Sequence, residues 1–279
     1  MHCPPPPAAR PGPGSLTWLL AGERLALLAW PRAILLQLAH PLVAAGVGAH
    51  SSFRRSLVAP YTRLHATVRA MRRLTFGTDQ EAAATLARIL DIHDRVHGTL
   101  GEDAGAWARG TPYSAHDAPL VLWVHATLLD SHVRVMGELL GRAFSGAERD
   151  SYCQETAPFA EALGARAADV PRAWAALERY MSDEVASGRI HVSRQARELA
   201  VAALRPSLGR VVWPVQYACE ILTVGSLPDD IRAQYGFPWD ARRARQRARL
   251  VGLIRGVRRR LPDWLARWPE AQPPRTPRG

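Results

Sequence analysis

Hydrophobic side chains recur at steps of three and four along almost the whole chain, the spacing that gathers them on one face of an α-helix. The pattern predicts helices over 16–29, 32–46, 61–75, 79–97, 118–143, 146–163, 171–186, 193–203, 214–222 and 241–260. Alanine, leucine, arginine and glutamate, all good helix formers, fill these segments. Only 189–192 alternates as a strand would. Thr78 and Asp79 precede Gln80 and Glu81, and Ser145 stands three residues before Glu148, a capping-box spacing. Pro171 suits a first helical position, and Gly98 and Gly164 suit helix ends. No repeat and no linker divides the chain. The reading is all-α: a single multi-helix bundle domain over 15–268, between a proline-rich tail at 1–14 and a second frayed tail at 269–279.

The segment 118–143 is the predicted central helix. Leu122, His125, Leu129, His132 and Met136 form one stripe, and Val121, Val124, Leu128 and Val135 an adjoining one. A helix that is apolar over most of its circumference is buried among others. A second helical stripe surrounds ILDIHDRVHG at 89–98, where Leu86, Ile89, Leu90 and Val96 flank His93. His97 follows four residues on, one helical turn away. A histidine set among aliphatics needs a partner for its ring nitrogens, and that partner is either a protein group or a metal. The same choice applies to His125 and His132.

Hydrophobic residues make up 47% of the 279, enough for a sizeable core. All 36 basic residues are arginine, so Schiff-base chemistry and a lysine general base are excluded. The formal charge of +11 owes much to 242–260, which holds nine arginines and no acid. Leu250, Ile254, Val257 and Leu261 form the predicted buried stripe of that helix, which makes its arginines a solvated face; the alternatives are an anionic membrane surface or nucleic acid. Cys3, Cys153 and Cys219 are far apart and form no CxxC pair, so neither a zinc knuckle nor a disulfide framework is signalled. The start, MHCPPPPAARPGPG, has no apolar core of a secretory signal. The apolar run at 33–49 contains Gln37, His40 and Pro41 and is shorter than a ~20-residue span, so it reads as a core helix. No transmembrane span is expected, nucleic acid is not an expected partner, and the cytoplasm is the default location.

GxSxG, P-loop and GxGxxG signatures are absent. Arg63 and Thr67 in YTRLHAT share one helical face, an arginine fork beside a hydroxyl, but a surface arginine with an incidental threonine has the same pattern. Two site models follow. In a bundle metal site, His93 and His97 chelate one ion with His125 or Asp94. In a haem site, one buried histidine is axial and apolar faces sandwich the macrocycle.

A series of motifs then adds to this reading. ILLQLAHPLVAAGV at 34–47, HSSF at 50–53, RLHAT at 63–67, IHDRVHG at 92–98, YSAHDAPLVLWVHATLLDS at 113–131 and ERDSYCQE at 148–155 stand in one order. That order resembles the MpaB-type oxygenases, relatives of the rubber oxygenase (latex-clearing protein) catalytic domain. The similarity runs from about Gly22 beyond Arg205, and more weakly to about Trp239. The resemblance implies a globin-like helical domain with b-type haem, whose iron takes His93 as axial ligand, with Arg63 and Thr67 beside the cofactor. It implies a haem-dependent oxygenase using dioxygen on a double bond of an apolar, prenyl or isoprenoid-like small molecule. His40, Tyr113 and His125 fall in family motifs without an assigned catalytic role. Rubber oxygenases carry a lysine just after the motif arginine; here Leu64, His65 and Ala66 follow it. They also carry a distal glutamate, whereas His50 is the titratable residue in 47–50. Polyisoprene is therefore not the expected substrate. The alternatives are a helical haem- or ligand-binding protein without turnover, as a sensor or carrier, and a non-haem metal bundle.

Overall fold

The computed structural model describes residues 11–50, 59–205 and 212–272. The all-α expectation holds. The helices are α1 (Leu16–Gly22), α2 (Trp30–Leu38), α3 (Pro41–His50), α4 (Ala59–Phe76), α5 (Asp79–His93), α6 (Ala118–Leu140), α7 (Gly146–Ala162), α8 (Trp174–Ala186), α9 (Arg194–Leu204), α10 (Trp213–Val224), α11 (Asp229–Tyr235), α12 (Ala241–Arg260) and α13 (Asp263–Ala266). Between α5 and α6, β1 (His97–Thr99) and β2 (Pro112–Ser114) pair antiparallel.

Helix α6 is the spine. Pro119 occupies its first turn, and it ends where Gly141 takes the left-handed conformation at φ 64°. Leu122, His125, Leu129 and Met136 of the predicted stripe are buried, and so are Val121 and Val135 on the adjoining face. Helix α2 lies along α6, and the indole of Trp123 donates to the Leu36 carbonyl at 3.1 Å. One core group joins α6 to α1 and α8 through Leu129, Met136, Leu20 and Leu177. Another joins α2 and α3 to α9 and α11 through Leu36, Ala44, Leu199 and Ile231. The Tyr235 hydroxyl donates to the Leu35 carbonyl at 2.6 Å across that group.

Several predicted bounds change. The segment 16–29 breaks at Glu23 into α1 and a short 3₁₀ turn. The segment 32–46 breaks at His40, because Pro41 cannot extend the preceding helix and opens α3 instead. The two halves, Arg24–Leu38 and Pro41–Ala49, meet at 106°. Together they are long and apolar enough to span a membrane only as that bent pair, and no single helix among the described residues is long and apolar enough to cross. Helix α8 starts at Trp174, not Pro171. The predicted strand at 189–192 is extended but unpaired with another strand, its amides bonding the Ala39 carbonyl and the Gln234 side chain at 2.9 Å each. The folded domain also runs beyond 268: Ala271 is buried against α1, and Arg72 pairs with Glu270. At the other end, Pro11 is already buried.

Candidate functional site

The site begins with α5. Thr78 accepts from the Glu81 amide at 3.2 Å and Glu81 accepts from the Thr78 amide at 2.8 Å, so the predicted capping box fixes where the helix starts. Ala82 and Leu86 then bury it against Leu74 of α4. It stops at His93: a tight turn follows, in which the Val96 amide donates to the His93 carbonyl at 2.9 Å, and the chain enters β1. His97 therefore lies in a strand, exposed and paired with Ser114, not one helical turn beyond His93. The HxxxH chelate is corrected by this geometry. Its physical cause is the hairpin, whose ladder claims the backbone that the helix needs.

The same register assembles the neighbours of His93. Pairing of His97 with Ser114 and of Gly98 with Tyr113 returns the chain alongside the end of α5. The Ala115 amide donates to the Val96 carbonyl at 2.8 Å, and His116 then faces His93, ring centroids 5.8 Å apart and planes at 78°. His116 Nε2 is bonded to Asp94 Oδ1 at 2.7 Å. His93 is half-buried, and its Nδ1 is buried with no hydrogen-bond partner among the described residues. Burial pushes its pKa down, the neighbouring His116 adds to this, and Asp94 opposes it. Tyr113 seats the hairpin on α3: a Cβ on Gly98 would meet its hydroxyl at 2.8 Å, and one on Gly46 would meet Val96 at 3.2 Å. Burial raises the pKa of this phenol, and it has a packing role.

The other core histidines divide cleanly. His40 is buried, its Nδ1 accepts from the Leu42 amide at 3.3 Å, and its ring tilts on Trp107. His132 Nδ1 bonds the Leu128 carbonyl at 2.9 Å, as a satisfied core histidine should. His125 is buried, yet its Nε2 has no partner among the described residues. Desolvation takes the pKa of both His40 and His125 down to about 4, so both rings are neutral at pH 7. Among the described residues no three His, Cys, Asp or Glu converge as a metal-ion cage.

Arg63 and Thr67 both fall on α4, so their four-residue spacing does place them on one helical face. Thr67 is exposed, and the side chain of Arg63 lies outside the described residues. His50 ends α3, and its side chain also lies outside them. Two open depressions, of about 320 and 260 Å³, lie elsewhere, one beside α12 and α13 and one beside α1 and α7.

The family model described as "ER-bound oxygenase mpaB/B'/Rubber oxygenase, catalytic domain" matches residues 18–258. The chain belongs to this family. No curated protein and no solved structure matches it. The matched span runs from within α1 to near the end of α12, so it takes in the basic helix as well as His93 and α4.

The donor set at His93 suits the cofactor that the motifs implied. Haem takes as little as one axial ligand from the protein, whereas a bare ion needs several. A half-buried imidazole with a buried nitrogen that has no partner among the described residues, and a lowered pKa, keeps the lone pair that a metal requires. Sequence reading passed over His116 as its neighbour. The signal was there only in retrospect: a glycine-spaced stretch with Gly98, Gly101, Gly105 and Gly110 between two short extended runs, a loop that lets the chain double back.

Proposed function

We propose that this protein is a haem-dependent oxygenase that uses dioxygen to cleave a double bond in an apolar, prenyl-type compound, with His93 holding the haem iron. One observation carries the reading: the buried Nδ1 of His93 at the end of α5, which has no partner among the described residues. A buried polar atom without a partner is costly, and a ligand outside the polypeptide would offset that cost. Membership of an oxygenase family supports the reaction class.

Burial keeps the His93 imidazole neutral near pH 7, and the edge of His116, tied to Asp94, limits its rotation. Arg63 would supply a fixed positive charge and Thr67 a hydroxyl from the same face of α4, able to hold a carboxylate or to stabilise developing negative charge. His50, at the end of α3, would stand where relatives carry a distal carboxylate and could move a proton there. The haem, when bound, would supply the dioxygen chemistry.

The test is spectroscopic first. Wild-type protein given haem should develop a Soret band, and His93→Ala should lose the ligation spectrum while staying helical by circular dichroism. A wild type with no Soret shift, or a His93→Ala variant with the normal spectrum, would overturn the assignment. Reduced protein is then given a panel of prenylated compounds under labelled dioxygen. Label in both carbonyl fragments supports cleavage; a stable oxygen complex with no substrate-dependent oxygen uptake makes the protein a carrier or sensor.

A further inference from the structure

We propose that α12 and α13 form a docking surface for an anionic lipid bilayer, lying in its interface with α12 parallel to the membrane plane. The proposal stands apart from the haem assignment and goes beyond it. Its first support is exposed apolar surface. Leu253 is 64% exposed, Val257 48%, Trp264 55% and Leu265 42%. Leu253, Val257 and Leu265, together with Leu261, rim the depression of about 320 Å³ against Leu25, and Trp264 is exposed on α13. An apolar patch of this kind needs an explanation.

The second support is the placement of charge. The core side of α12 is occupied by arginines that are already used. Arg247 pairs with Glu138, and Arg258 with Glu23. Arg242, Arg249 and Arg260 are exposed on the other side. Arg242 and Arg249 have no ion-pair partner among the described residues, and Arg260 bonds only the Gly256 carbonyl of its own helix, at 3.1 Å. At roughly 100° per residue these three lie within about 40° of Leu253 around the axis, with Val257 about 40° to its other side. These arginines thus lie on the same side of the helix as the apolar strip that Leu253 and Val257 form in its C-terminal half. That is the arrangement of an in-plane interfacial helix, in which arginines reach phosphates while their neighbours enter the acyl boundary. Trp264, exposed on the following helix α13, is the residue type that favours the same interfacial depth.

Charge complementarity decides between occupants. A second copy would set one arginine row against another. A nucleic acid would meet the cations but leave Leu253, Val257 and Trp264 facing phosphates. An anionic lipid surface satisfies both halves.

The experiment is cosedimentation of the full chain with phosphatidylcholine vesicles, with and without about one-third phosphatidylglycerol. Binding should need the anionic lipid and weaken with salt. Arg242→Gln/Arg249→Gln/Arg260→Gln should weaken it by at least roughly tenfold, since each basic group contributes to surface attraction. Leu253→Ser/Trp264→Ser should weaken it by a similar factor. All these positions are exposed, so circular dichroism and melting should match wild type and separate lost binding from lost fold. Four outcomes overturn the proposal: no binding to anionic vesicles; binding indifferent to the apolar pair; a DNA duplex bound as tightly and lost only in the arginine variant; or a dimer in sedimentation velocity that the apolar variant abolishes.

Discussion

Removing the charge of Asp130 tests how the centre of the bundle is held. Arg32 of α2 and Asp130 of α6 are 2% and 4% exposed, and their charged atoms lie 2.7 Å apart. The guanidinium also donates to Ser131 Oγ and to the Ser226 carbonyl, at 2.8 Å each. One cation therefore ties together α2, α6 and the turn after α10. Burial lowers the pKa of Arg32, and the Asp130 charge and hydrogen bond act against that. Asp130→Asn keeps the shape and removes the counter-charge, leaving a guanidinium in the core with only neutral partners. Breaking a buried pair from one side costs about 3–5 kcal/mol, and the amide recovers some of it, so about 3 kcal/mol is expected. With an unfolding entropy of about 2.1 cal/mol/K per residue over some 250 ordered residues, that lowers Tm by roughly 6 °C. Thermal melts at pH 7 followed by circular dichroism read the shift directly. Arg32→Met combined with Asp130→Leu should recover part of the loss, because it removes both charges together. A fall of less than about 2 °C for Asp130→Asn would refute the reasoning, since it would mean that the core tolerates the lone cation.

Two further predictions concern the buried histidines. His40 and His125 have folded pKa values of about 4 against about 6.5 when unfolded. Between these values the unfolded chain binds protons that the native one does not, so stability is full above about pH 6.5 and falls as the pH drops toward 4. Going from pH 7 to pH 5 should cost roughly 2 kcal/mol for each histidine, read as a lower urea midpoint; an unchanged midpoint would rule out buried neutral rings. His125→Leu should leave the haem spectrum of the wild type in place, whereas a lost Soret band in that variant, with His93→Ala unaffected, would move the axial ligand to α6.

What the sequence made legible was local. Thr78 with Glu81 and Ser145 with Glu148 act within three residues, and both capping boxes form. The α6 stripe needed only the helical period. What it hid depends on distant partners. No window around His93 contains Ser114, yet pairing with it ends α5 four residues early and brings His116 to His93. The basic helix shows a subtler limit. Its apolar stripe was legible, but burial of that stripe was inferred from the rule that apolar faces turn inward. Here the inward side holds Val251 and Ile254 beside Arg247 and Arg258, which pair with Glu138 and Glu23. Of the predicted stripe, Val257 and Leu261 stand exposed, at 48% and 36%.

The proposal of His93 among the histidines rests on unmet bonding combined with its place at a helix end. His40 and His132 are removed by their backbone bonds. His93 and His125 each keep one buried nitrogen without a partner among the described residues. A macrocycle is wide and flat, and its ligand must project from a surface that a ring can approach. His125 sits in mid-helix on α6, between Leu122 and Leu129, both buried in close-packed groups. Seating a haem there would mean parting α6 from its neighbours, which a close-packed interior resists. His93 is the last residue of α5, half-buried, with a turn beyond it that carries no core side chain until Leu100. A helix end is where the chain can present an imidazole without surrendering the packing that holds the helix. The proposed ligand is therefore His93, supported by motif order and by a buried nitrogen without a partner among the described residues at the end of α5.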